Sequence, residues 1–413
     1  MSETPRVLRP NRAQVELRPS DLESLLPEDH RARAVWELVS GLDLSAWYGA
    51  IRSVEGEAGR PAIDPAILLS LWVYATLEGV GSARAVARLC EEHDAYRWIC
   101  GGVSVSYRTL AAFRVSHEEK LDGLLTQIVV GLVEAGVVRL ERVAQDGMRV
   151  RASAGAGSYR RRKRLRALER EVEKRVADLR RELEADPAGS SRRRRAARER
   201  AIRERRRRVQ RALAVVREVG AKRKASERES VRASTTDPEA RVMKMADGGF
   251  RPGYNVQLAT DVDSRVVVGV EVTNEGSDIR QLSPMLAQLE RRYGRVPEAM
   301  VVDGGYVHLG AIEAAAQAGC RVYAPPRQGQ PRRGDPAGVV AWRDRMGTEE
   351  GQALYRERAA TAEWVNAQHR NRGLGQFGVR GLDRVRCVSL LHAVAHNLMC
   401  MLGFASGCRE APA

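Results

Sequence analysis

Between residues 28 and 140 the apolar positions follow helical rather than alternating spacing. "GRPAIDPAILLSLWVYATLEGV" opens on Pro61 and the Asp64-Pro65 pair, chemistry suited to a helix start. "SARAVARLCEEHDAYRWICGG" begins at Ser82, a candidate N-cap, and stops at Gly101-Gly102. "SYRTLAAFRVSHEEKLDGLLTQIVVGLVEAG" supplies at least one further helix. The pattern predicts a compact all-α domain over 28–138, preceded by a tail of 1–27.

From Arg139 the rhythm changes. "RLERVAQDGMRVRASAG" alternates loosely and ends in small residues, as a strand and its exit do. Charge then becomes dense, and Leu165, Leu168, Val172, Val176, Leu179 and Leu183 recur at steps of three and four. "DPAGSS" interrupts, after which Ile202, Val209, Leu213 and Val216 mark one face of a second helix. An inserted basic helical hairpin with its linker is expected over 159–239, as a solvated spacer or as a DNA contact. Strand signals return in "GYNVQLATD" and "RVVVGVEVTN", a hairpin about "VDS". Helix "DIRQLSPMLAQLERRYG", strand "AMVVDGGY", helix "LGAIEAAAQAG" and strand "CRVYAPP" follow. A Pro/Gly/Arg-rich loop leads to a long helix from about 349 to 371, and "RVRCVSLLHAVAHNLMCML" closes the chain before a tail of 406–413. With the hairpin set aside, this order predicts a mixed α/β sheet flanked by helices, built from 139–158 and 240–405.

Composition narrows the partners. The 413 residues suggest two or three domains, and 69 Lys+Arg against 53 Asp+Glu leave a net charge of +16. That balance favours a polyanion, either nucleic acid or an anionic membrane surface. The apolar runs "AILLSLWVYATL" and "IVVGLVEAGVV" are too short to span a bilayer, and "MSETPRVLRPN" lacks a signal-peptide core. No membrane is therefore expected, and the cytoplasm is the expected compartment. The six cysteines contain no C-x-x-C pair, which argues against a zinc ribbon or redox dithiol.

Three carboxylates stand out by position. Asp146 is expected to end the first strand, Asp303 the fourth, and Glu363 to lie within the late helix. Singly, an Asp-Gly at a strand end is a turn residue, and a helical Glu belongs to the surface. Adjacent strands can nevertheless bring Asp146 and Asp303 together, with a packed helix presenting Glu363. Three such groups repel unless a cation neutralises them, and oxygen ligands suit Mg²⁺, with Mn²⁺ as substitute. Such a site runs metal-dependent phosphoryl transfer. Tyr355, Arg358 and Arg370 share the helix, where cations can hold phosphates. His392 and His396 have an i, i+4 spacing that can bind zinc, but without an evident third ligand they read as packing, as does Trp364.

At these residues the chain resembles the DDE transposases of bacterial insertion sequences, in the branch with a helical N-terminal domain. "DGMRVRASAG", "TDPEARVMK", "GYNVQLATD", "VVDGGY" and "YRERAATAEWVNAQHRNRG" look like successive motifs of the catalytic domain, and the likeness runs over roughly 28–405. It implies an RNase H-like fold, with Asp146, Asp303 and Glu363 as the metal-binding triad. Tyr355, Arg358, Glu363 and Arg370 resemble the Y-R-E-K signature, with two departures. Four residues rather than three separate Arg358 from Glu363, and Arg370 stands where the signature has Lys. The resemblance implies that water cuts at the element's end and that the freed 3′-hydroxyl attacks target DNA. It also implies that the N-terminal domain holds terminal inverted repeats through basic residues such as Arg84, Arg88, Arg97, Arg108 and Arg114, and that at least a dimer assembles on double-stranded DNA. A nuclease without joining activity, and a non-catalytic DNA-binding derivative, remain the alternatives.

Overall fold

The computed structural model of the chain describes residues 21–54, 56, 60–185, 191–326 and 334–405. Its eight described strands are β1 (Arg142–Arg151), β2 (Tyr159–Arg161), β3 (Arg232–Ser234), β4 (Arg241–Lys244), β5 (Phe250–Asp261), β6 (Val267–Thr273), β7 (Ala299–Val301) and β8 (Arg321–Tyr323). The main sheet runs β6-β5-β1-β7-β8. β1 is antiparallel to β5 and parallel to β7, and β7 is parallel to β8. This is the expected RNase H-like arrangement. Gly253 of β5 is paired to Arg151 on one edge and to Arg241 on the other, so β4 extends the edge that β6 occupies. Every residue of β5 from Pro252 to Asp261 is buried, because the sheet is covered on both faces.

The open edge of β6 is closed by side chains. Gln288, on helix Leu282–Tyr293, accepts from the Val270 N–H at 2.9 Å and donates to its carbonyl at 2.9 Å. Asn397, on helix Leu382–Ala405, does the same for Val267 at 2.8 Å each way. Two buried amides thus stand in for a neighbouring strand, which satisfies the backbone and blocks edge-to-edge pairing.

Among the described residues seven α-helices precede β1, including Pro65–Leu77, Ala83–Glu92, Tyr107–Phe113 and Glu118–Glu134. Ser82 caps the second of these through the Ala85 N–H, and Gly101 takes the left-handed conformation (φ 54°) that ends helix Asp94–Cys100. Pro65–Leu77 is apolar all round and buried at all 13 positions, so it must be covered on every side. Its neighbours include the N-terminal helix Arg31–Ser40 and the C-terminal helix Leu382–Ala405. The N-terminal helices and the sheet accordingly share one continuous core.

The closing helix corrects the expectation that no segment could span a membrane. Leu382–Phe404 is long and apolar enough to do so, because His392, His396 and Asn397 break its apolar run without lowering its mean hydropathy far. Here it packs on β6, Glu118–Glu134 and Pro65–Leu77. The late helix differs as well. Ala337–Gly347 is a helix of its own, and Glu349–Asn371 is interrupted by a π turn at Ala359–Glu363.

The hairpin comprises Arg162–Ala185 and Arg192–Ala221. It has its own core, with Leu165 and Leu168 against Val209, Leu213 and Val216. β2 and β3 pair antiparallel at its base. Asp237 and Glu239 of the "TDPEA" motif fasten that base. Asp237 accepts from the Tyr254 hydroxyl at 2.8 Å, and Glu239 from Arg211 at 2.9 Å and the Leu382 N–H at 2.7 Å.

His392 and His396 do acquire a third histidine. His369, from the late helix, lies 6.0 and 5.3 Å from their ring centroids. His369 and His396 are buried and His392 is half-buried, and no trio of acidic, His or Cys side chains among the described residues is arranged to hold a metal ion. Burial pushes His392 down to about 3 and His396 to about 4, and holds His369 well below its ordinary value. The unfolded chain takes up protons below about pH 6.5 that these folded imidazoles refuse, so their contribution is intact above that value and fades in acid. Each histidine removes about 1.4 kcal/mol per pH unit in that window. Thermal unfolding should show a midpoint that falls steeply from about pH 7 to about pH 5. A flat profile would mean that the imidazoles are protonated in the native state.

Candidate active site

Register brings the first two acids together. β1 pairs with β7 at Arg142↔Ala299, Val143↔Met300 and Ala144↔Val301, an offset of 299 − 142 = 157. The same offset separates Asp303 from Asp146, since 303 − 146 = 157. Each acid lies two residues past the last pair of the ladder, and the Asp303 charge is felt at Asp146. Neither ends its strand as expected. Asp146 is the fifth residue of β1, which runs on along β5 after parting from β7. Asp303 lies beyond β7 and caps the turn Gly304–Tyr306, accepting from the Gly305 N–H at 2.7 Å. A Cβ on Gly305 would stand 2.8 Å from that carboxylate oxygen, so the second glycine is what lets the turn close over the acid.

Asp146 is held from three directions. Its Oδ1 accepts from the Gly147 N–H at 2.9 Å, its Oδ2 from Asn366 Nδ2 at 3.0 Å, and Arg358 Nη1 lies 3.8 Å from Oδ2. Burial raises its pKa, Arg358 and the Gly147 N–H oppose the rise, and the charges of Asp303 and Asp278 add to it. Glu363 is more open, its side chain 54% exposed against 19% for Asp146, and accepts from Arg358 Nη2 at 2.6 Å. Arg358 therefore bridges the two carboxylates. Burial works against its charge, but Asp146, Tyr355 and Glu363 raise its pKa on balance.

The π turn explains the unusual spacing. Residues five apart on a regular α-helix are about 140° apart around the axis. A π turn closes i to i+5 and returns them to one side. The extra residue between Arg358 and Glu363 is absorbed in Ala359–Glu363, where Thr361 and Ala362 are buried and the π turn lies against β1 and β5. Regular helix resumes, so Asn366 and Arg370 follow Glu363 on the same face. Arg370 is exposed and has no ion pair among the described residues. Tyr355 is half-buried beneath the Arg358 guanidinium, 5.9 Å from its ring centre. Trp364 turns the other way, under Arg265 at 4.8 Å and edge-on to His396, and packs as expected.

Two further groups at the site carry no motif in the sequence. One is Asn366. The other is a buried network behind Asp146, in which Asp278 accepts from Asn255 and Gln257 at 2.7 Å each and from Arg149 at 2.7 Å. Gln257 also accepts from Gln145 at 2.9 Å and from the Tyr306 hydroxyl, so Tyr306 belongs to this network rather than to the open site. Its sequence signal was two polar residues two apart, Asn255 and Gln257, inside an otherwise apolar strand.

The donors are suited to a hard divalent cation. Asp146, Asp303 and Glu363 offer only oxygen, and the buried Asn366 Oδ1 beside Asp146 has no hydrogen-bond partner. Among the described residues no three such groups already converge as a ligand set, because Glu363 is drawn onto Arg358.

The basic N-terminal residues separate into two kinds. Arg84 and Arg108 are exposed and flank the ring of Tyr107, at 5.2 and 5.8 Å. Arg88 pairs with Glu92, and Arg97 with Asp94. Arg114 instead lies over Trp72 at 4.6 Å and donates to the Gly81 carbonyl, so its packing fastens one helix to another.

Two family models match this chain. Residues 20–116 match a transposase domain (DUF772), and residues 227–398 match the transposase DDE domain. The chain belongs to the DDE transposases of insertion sequences. No curated protein and no solved structure matches it. Asp146 falls between the two matched stretches, so its place in the site rests on the β1–β7 register.

Gly147 offers a test of the network. An added Cβ would stand 2.5 Å from both Asp278 Oδ1 and Gln257 Nε2. Gly147→Ala should destabilise the protein by about 1–3 kcal/mol through overpacking, read as a lowered midpoint in denaturant. An unshifted midpoint would show that the network can move aside.

Proposed function

We propose that the chain binds the terminal inverted repeats of its insertion sequence and catalyses metal-dependent DNA strand cleavage and strand transfer. Asp146, Asp303 and Glu363 would hold Mg²⁺, with Mn²⁺ as substitute, and Asn366 would orient Asp146. The observation that supports this reading is the parallel β1–β7 register, whose 157-residue offset is also that between Asp146 and Asp303, together with the influence of the Asp303 charge on Asp146. Once bound, the cation would supply Lewis-acid activation of the attacking oxygen and neutralise charge at the phosphate.

The protein's own groups do the rest. Arg358 neutralises Asp146 and Glu363 in the free protein and is positioned to pass to a substrate phosphate when those acids take up a cation. Arg370, on the face of Glu363, and Tyr355 extend the surface along which a DNA backbone can lie. Gly305 keeps the approach to Asp303 clear of side chain. Arg84 and Arg108 about Tyr107 supply charge and an aromatic face for the repeats, with Arg88 beside them. Arg114 supports that surface from below. Cutting and joining two ends calls for at least a dimer on DNA, acting in the bacterial cytoplasm.

The test uses Mg²⁺ and a duplex carrying the element's own end. Asp303→Asn and Asp146→Asn should each reduce nicking and joining by about a thousandfold or more, on the scale of losing an electrostatic catalytic group, while the duplex is still bound. Normal cleavage by either variant would refute the assignment of that acid. Hydrolysis without joined product in the unsubstituted protein would favour a nuclease.

A further inference from the structure

The positive charge of this chain is concentrated in one place. Helix Arg162–Ala185 carries nine Lys and Arg against six acids, and Arg192–Ala221 carries 13 Arg against three Glu. The hairpin helices therefore hold 22 − 9 = +13 of the net +16. A solvated coiled coil used only as a spacer would offset its cations with acids along each face, as Arg198 with Glu182 and Arg203 with Glu199 do here. Most of the second helix does not. Arg192, Arg193, Arg194, Arg200, Arg206 and Arg207 are exposed and have no carboxylate partner among the described residues.

The arm is also fixed to the body. Its root has a buried core, the β2–β3 clasp and the Arg211–Glu239 pair. Beside the root lies a cleft of about 770 Å³, bordered by Arg207 of the hairpin, Arg114 of the N-terminal helices, and Arg380 and Arg384 ahead of and within the C-terminal helix. Ser153, two residues beyond β1, lies on the same cleft. Glu204, Asp237, Glu239 and Asp383 share it, so the uncompensated charge lies further out along the arm. The stretch Arg192–Arg207 of this helix covers about 24 Å at 1.5 Å per residue. That is about two thirds of one turn of duplex DNA, about 34 Å.

We infer that the inserted hairpin is a rigid, sequence-independent clamp on the phosphate backbone of duplex DNA, laid along Arg192–Arg207 and leading to the cleft at its root. The inference rests on the transposase reading for its substrate, but its charge argument is independent of catalysis. Arginine forks suit phosphate oxygens, and a contact made only to the backbone holds and orients any duplex without reading its sequence.

The experiment compares the full-length protein with a variant bearing Arg192→Gln, Arg193→Gln, Arg194→Gln, Arg206→Gln and Arg207→Gln, and with the five corresponding Arg→Lys changes. Binding to a duplex carrying the element's end, and to one of unrelated sequence, is measured by fluorescence anisotropy across a salt series. Every phosphate deprived of its arginine should reduce the slope of log affinity against log salt by ~0.9. The Gln variant should therefore lose a slope of about 4.5 and bind both duplexes at least tenfold more weakly, with their affinity ratio unchanged. The Lys variant should keep the wild-type slope. An unchanged slope in the Gln variant, equal weakening by Lys and Gln, or weakening confined to the end duplex would each overturn the inference. Cleavage by the unsubstituted protein is scored in parallel. Its absence would count against the transposase reading while leaving the salt slopes to judge the clamp.

Discussion

A carboxylate sits in the middle of the central strand of a sheet covered on both faces, and much of the site follows from that burden. Asp146 is raised in pKa by burial and by its acidic neighbours, so its charged form needs donors and a counter-charge. Gly147 gives a backbone donor, Asn366 an amide and Arg358 a cation. The π turn keeps Arg358 and Glu363 on one side of the helix while Asn366 still reaches Asp146. A regular helix with the same residues would point Arg358 and Glu363 apart.

The surrounding fold holds those elements rigid. The late helix is pinned from behind by His369, which meets His392 and His396 of the C-terminal helix. That helix in turn packs against Pro65–Leu77, whose uniformly apolar surface ties the N-terminal helices to the sheet. Through this shared core the surface around Tyr107 and Asp146 on β1 belong to one solid body. The amides of Gln288 and Asn397 protect the one sheet edge next to these helices.

Charge is distributed differently from apolar surface. The core is continuous, whereas most of the net positive charge is gathered on an arm that contributes little to that core. Arginines inside the body, such as Arg114 and Arg358, are engaged by rings, carbonyls or acids. Those on the outer hairpin face solvent. The protein thus separates cations that organise its structure from cations free to meet a polyanion.

Much was legible in the sequence because periodicity and cap chemistry are local. The helical N-terminal part, the hairpin with its apolar stripes, the β5–β6 hairpin and the strand–helix–strand order that follows all derive from spacing along the chain. Asp303 was visible as an acid after an apolar run, and Glu363 as a helical acid near cations. What could not be read locally was decided by packing. Helix Ala337–Gly347 was missed because a Pro/Gly-rich approach masked its start. The buried network around Asp278 is assembled from β1, β5 and two loops, and no linear pattern joins them. The extra residue between Arg358 and Glu363 looked like a departure from the signature until the π turn absorbed it. The sequence by itself determined which elements form and which acids are available. Only the tertiary structure brought the Asp303 charge to bear on Asp146 and bridged Asp146 to Glu363 through Arg358, because strand register and helix phase depend on contacts between segments far apart in the chain.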